Sequence, residues 1–257
     1  MALVDTPLRL AVLAFVAMWL AAHLGIYLRR LKKESEADEQ VQFGVIVGAA
    51  LTLLGLLIGF SYSMAVSRYD QRKNLEEEEA NAIGTEYLRA GLLSAAEAAR
   101  VRGELKTYLD ERVLFYIVTD EQRVAQINAS NTLISADLWS LVQSAALAQP
   151  GTNTALATAG MNSVLNSQGY TQAAWWNRIP IAAWGLMLII GICCNVLLGY
   201  STPHPEIKVH SVFFILPGLV AVSIYLIAEL DSPRDGFIRI QPVNLSSLSH
   251  SWPFSRP

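Results

Sequence analysis

The apolar residues of the chain gather into four runs, Leu10–Leu28, Phe43–Val66, Ile179–Tyr200 and Ser211–Leu230. Each has about the 20 residues a helix needs to cross a hydrocarbon core of roughly 30 Å. Most of the remaining charge lies in one block, residues 68–178. Apolar positions in that block recur at helical spacing and never alternate as in a strand. The pattern predicts an all-α membrane protein, with four transmembrane helices and an all-α extramembrane domain between the second and third. Residues 1–67 hold the first two spans, 68–178 the helical domain that continues helix 2, 179–230 the last two spans, and 231–257 an acidic turn and a tail.

Local signals refine this outline. No proline or turn cluster interrupts the chain from Ser67 until past Leu93, so the second span is expected to run on as a long polar helix. Ser94 with Glu97 three residues later reads as a capping box. It opens a helix through about Val118 that buries Leu105, Leu109, Val113, Leu114 and Tyr116. Thr119-Asp120-Glu121-Gln122 opens a further helix through about Ala148, which Pro150-Gly151 ends. Residues 153–168 read as helix. Trp175 and Trp176 read as an interfacial belt before the third span, and Pro217-Gly218 as a kink in the fourth. Residues 29–42 read as a solvated connection. Residues 237–243 read as a short extended segment, and 246–257 as a loosely ordered tail.

The second span carries the most pointed pattern. Gly44, Gly48, Gly55 and Gly59 fall within about 60° of one another at roughly 100° per residue. A glycine stripe lets membrane helices approach closely, where packing must do the work that water does elsewhere. Beside it Thr52, Leu56 and Phe60 form a separate row, one turn apart. Tight packing on one flank and a distinct row on another is what a pore-lining helix of an oligomer requires.

Composition closes off other classes. The residues are 53% hydrophobic and the net charge is −3, which gives no sign of a nucleic-acid partner. Cys193 and Cys194 are adjacent and cannot frame a disulfide scaffold. His23, His204, His210 and His250 lack metal-ligand spacing, and Glu76–Glu79 reads as a solvated or salt-bridged helix face. No nucleophile, phosphate-loop or dinucleotide motif is present, so no enzyme, cofactor or metal is expected. The first run is too long for a signal peptide and leads into Arg29-Arg30 rather than a cleavage site, so it reads as a retained span. Arg9, Arg68, Arg72, Lys73, Arg178, Arg234 and Arg239 outnumber Arg29, Arg30, Lys32, Lys33 and Lys208. That balance favours termini and helical domain in the cytoplasm.

The stretch Gly59-Phe60, then Val66, Arg68 and Tyr69, resembles the end of the bestrophin pore helix. The runs Arg68-Tyr69-Asp70, Glu79-Ala80-Asn81-Ala82-Ile83-Gly84-Thr85 and Glu229-Leu230-Asp231-Ser232-Pro233-Arg234-Asp235-Gly236 look like signatures of bacterial bestrophin-like membrane proteins. The resemblance implies an oligomeric ion channel, a pentamer, in a bacterial inner membrane, in contact with lipid and inorganic ions. By it Thr52, Leu56 and Phe60 are the neck positions: Leu56 and Phe60 an apolar constriction, Thr52 a polar ring. Arg68 is then an electrostatic filter or a structural tie to Asp70 or Glu229, with Asp231 in the same acidic exit. Asp231 and Asp235 are sparser than the family's calcium clasp. The rival expectation is a non-conducting scaffold whose helical domain docks a partner.

Overall fold

The computed structural model describes residues 6–31, 37–201, 212–234 and 236–252. It contains α1 (Pro7–Leu31), α2 (Ala37–Arg89), a 3-10 turn (Ala90–Leu92), α3 (Ala95–Ile117), α4 (Glu121–Ala148), α5 (Thr152–Trp176), α6 (Ile181–Tyr200), α7 (Val212–Asp231) and α8 (Val243–Ser251). Among the described residues there is no strand. Lys32, Lys33, His204, Lys208, His210 and Asp235 lie outside the described residues. The expected connection at 29–42 is shorter than read, because α1 continues to Leu31 and α2 begins at Ala37.

The chain divides into two compact units, residues 1–68 with 178–238, and residues 69–177 with 239–257. The first carries four helices long and apolar enough to cross a membrane. Its tightest packing lies between α1 and α6. A Cβ on Gly25 would stand 2.1 Å from the carbonyl oxygen of Val196, and one on Gly199 would stand 2.0 Å from that of Ala22. Absence of those side chains lets the two backbones touch, the membrane equivalent of a filled core. Met18 is buried beside Gly191 in the same seam.

The second unit has a core of large apolar residues from α2, α3, α4 and α5, among them Ile83, Leu105, Tyr108, Phe115, Leu138 and Met161. The capping box at Ser94 forms: its hydroxyl accepts from Glu97 N, and its own N donates to Glu97 Oε2 at 3.2 Å. Asp120 caps α4 by accepting from Arg123 N at 2.8 Å. Leu114, expected inside, is exposed; Val101, Arg112 and Phe115 take that face with Leu105 and Leu109. Trp175 belongs to this core, against Phe115 and Tyr116, rather than to an interfacial belt. Trp176 is exposed.

The tail also differs from expectation as far as Trp252, residues 253–257 lying outside the described residues. Residues 237–242 are irregular, and the following residues form α8. Leu245 and Trp252 are buried, Trp252 stacks on Tyr87 at 4.1 Å, and Leu248 packs over Gly84. Leu245, Leu248 and Trp252 fall at i, i+3 and i+7, a short apolar stripe that the surrounding serines disguise.

Candidate functional site: an uncovered face of α2 and an acidic anchor

In the membrane-spanning part of α2, only one narrow stripe is covered. Val47, Leu54, Ser61 and Ala65 are buried, and they recur every seven or four residues along one line. Only 11% of the apolar window of α2 is buried, against 39% in α1 and 50% in α7. The glycine stripe meets nothing: a Cβ on Gly44, Gly48, Gly55 or Gly59 would have no neighbour within 4 Å. Leu56 is 52% and Phe60 63% exposed. At about 100° per residue this row stands on the side of α2 turned away from the covered stripe. Thr52 is exposed too, and its hydroxyl donates to Gly48 O at 2.9 Å.

Arg68 and Asp231 meet at the other landmark. Asp231 is fully buried. Its Oδ1 accepts from Ile179 N at 2.9 Å, and Arg68 Nη1 stands 3.8 Å from the same oxygen. Arg178 Nε lies 3.6 Å from Oδ2. Two guanidinium groups and a backbone N–H thus offset the burial of one carboxylate. Glu229 does separate work: its Oε2 accepts from Phe237 N at 2.6 Å and Ile238 N at 3.2 Å, pinning the turn that follows α7. Asp70 is exposed and is not joined to this group.

The polar half of α2 contributes a buried charged line that periodicity alone did not reveal. Arg72, Glu76, Glu79 and Glu86 are all buried. Their spacing of 4, 3 and 7 keeps them on one face, and that spacing was the available signal. Arg72 donates from Nε to Ala174 O and from Nη2 to Asn177 O, both at 3.1 Å. Glu76 accepts from Asn244 Nδ2 at 2.7 Å and Leu245 N at 2.9 Å, which seats the start of α8. Glu79 is paired with Arg112 and accepts from Tyr116 and Thr171 hydroxyls at 3.3 and 3.2 Å. Of the acidic run, only Glu77 and Glu78 are exposed. Burial, and then the Glu79 charge, push the Tyr108 and Tyr116 hydroxyls well above the usual phenol range. Burial works against the Arg112 cation, but the Glu79 carboxylate together with the Tyr108 and Tyr116 hydroxyls outweighs it and raises its pKa. Among the described residues no three His, Cys, Asp or Glu side chains are grouped as metal ligands.

A family model described as Bestrophin-like domain matches residues 10–245. No curated protein matches the chain. Among solved structures, the chain is similar to a bacterial Bestrophin homolog from Klebsiella pneumoniae, with a TM-score of 0.65 at 15% identity over 93% of this chain and 96% of that one. Two single-residue variants of that homolog match with TM-scores of 0.67 at 14% identity (95% of each chain) and 0.63 at 15% identity (93% of this chain, 99% of that one). At such identities the likeness is one of fold.

Proposed function

The chain belongs to the Bestrophin-like family, and we propose that it forms a homo-oligomeric ion channel whose pore is lined by α2. The observation that carries this reading is the bare α2: a membrane helix with a glycine stripe and an apolar row, neither covered by its own protomer. In a ring of identical subunits the glycines of one α2 pack against a neighbour, while Thr52, Leu56 and Phe60 turn toward the axis. Leu56 and Phe60 then form apolar rings that gate by dewetting, with Thr52 as a polar ring. Arg68 fixes the end of the span rather than filtering ions, because its guanidinium is drawn to the buried Asp231 carboxylate. We place the protein in a bacterial inner membrane, with its termini and helical unit in the cytoplasm.

The purified oligomer in liposomes tests this. Ions should cross faster than in empty vesicles, and Leu56→Ala with Phe60→Ala should increase leak or change selectivity. A folded, oligomeric preparation with no flux would instead favour the scaffold.

A further inference from the structure

Glu86 is fully buried in the helical unit, and neither of its carboxyl oxygens has a hydrogen-bond partner among the described residues. The carboxyl lies in the hollow left by Gly160 of α5, where a Cβ would stand 1.9 Å from Glu86 Oε2. Ala157, Met161 and Val164 surround that glycine on α5 and are themselves fully buried. No Asp, Glu, Lys, Arg or His occurs between Thr152 and Trp176, so α5 offers no charge to compensate. The 3-10 turn has none either. On α3, Arg102 is held by Tyr87 O, Lys106 by Asp110, and Arg112 by Glu79; on α8, His250 is bonded to Ser246 O. Arg89, on the same helix as Glu86, is the cation that reaches the Gly160 hollow, its Nη1 2.9 Å from the same Cβ position.

We propose that Glu86 is a proton-binding site that closes the α2–α5 seam when neutral and loosens it when ionised. A carboxylate with no hydrogen-bond partner against an apolar helix, only partly offset by Arg89, gains by drawing in water or moving, whereas a neutral carboxyl of the same shape need not. Burial raises the Glu86 pKa to about 8, with Arg89 opposing. An acid whose folded pKa is raised holds its proton in the closed state after the open state has released it. Closure is therefore favoured at low pH, weakens as pH rises from the ordinary carboxyl range to about 8, and changes no further above that.

The test uses the full-length protein in detergent micelles. Amide exchange protection in α5, corrected for the intrinsic pH effect, should fall by up to about tenfold per pH unit between roughly pH 6 and 8. Glu86→Gln should flatten that dependence and leave α5 protected at high pH. If Glu86→Gln keeps the wild-type profile, the proposal is wrong. If that variant does not fold, the infrared band of a protonated carboxylic acid in the wild type decides. Titration of that band near pH 8 supports the site, and its absence at pH 6 overturns it.

Discussion

Glu79 and Arg112 pair inside the helical unit with side chains that are 0% and 1% exposed. Arg112 also lies 4.4 Å over the Phe115 ring, and Tyr116 and Thr171 complete the shell around the carboxylate. The pair ties α2 to α3 and, through Thr171, to α5. Removing one partner strands the other charge in the core, which costs about 3–5 kcal/mol. Arg112→Met and Glu79→Gln should each lower the denaturation midpoint of the helical unit by a comparable amount. Their double variant should lose less than the sum, because the second change removes an already orphaned group. Additive losses in a double-mutant cycle would show that the two side chains act independently.

The glycines of the membrane unit should divide into two groups on substitution. Gly25→Ala and Gly199→Ala place a methyl into backbone atoms of the facing helix, so α1 and α6 must separate and the protomer should fail to accumulate. Gly55→Ala and Gly59→Ala meet no atom of their own chain. They should leave the protomer's melting temperature nearly unchanged while weakening subunit association, which size-exclusion chromatography with light scattering will read. A loss of protomer stability equal to that of Gly25→Ala would contradict the geometry.

The tail should come away as one piece. Trp252→Ala removes a buried ring stacked on Tyr87, a change of about 3–5 kcal/mol for a buried aromatic. Glu76→Ala removes both hydrogen bonds that seat Asn244 and Leu245. Each variant should make α8 cleavable by protease while α3 to α5 stay resistant. Cleavage spreading at once into α5 would mean that α8 is integral to the core.

What the sequence disclosed follows from which interactions are local. Four spans, the uninterrupted α2, the Ser94 box and the Asp120 cap rest on neighbours within a few residues, so periodicity and cap chemistry revealed them. The partner of each glycine did not. The stripe at Gly44, Gly48, Gly55 and Gly59 looked like the packing seam, yet inside the protomer the close approach uses Gly25 and Gly199. Both kinds of stripe look alike in one sequence, because what a glycine faces depends on a second helix far along the chain. Trp175 misled for the same reason. An aromatic pair before a span is ordinary at an interface, and only Phe115 and Tyr116, about sixty residues earlier, make one of the two rings a core residue. Arg68 stands 3.8 Å from Asp231, an acid far along the chain that helical spacing around Arg68 does not single out over Asp70 or Glu229.

Gly236 and Glu229 give the last test. Gly236 has φ +113°, a backbone region that residues with a Cβ seldom occupy. A Cβ there would also stand 2.3 Å from Glu229 Oε2, the oxygen that accepts from Phe237 and Ile238. Gly236→Ala therefore carries two penalties: backbone strain of about 1–3 kcal/mol and displacement of the carboxylate from its two donors. Glu229→Gln keeps one oxygen for those donors, losing the charge and exchanging the other oxygen for an NH2 group, so its effect should be the smaller. Combining Gly236→Ala with Glu229→Ala should relieve the clash but not the strain, leaving a loss between those of Gly236→Ala and wild type only if the clash dominates. Denaturation midpoints of the three variants rank the terms, and a Gly236→Ala protein as stable as wild type would mean that the turn adopts another conformation.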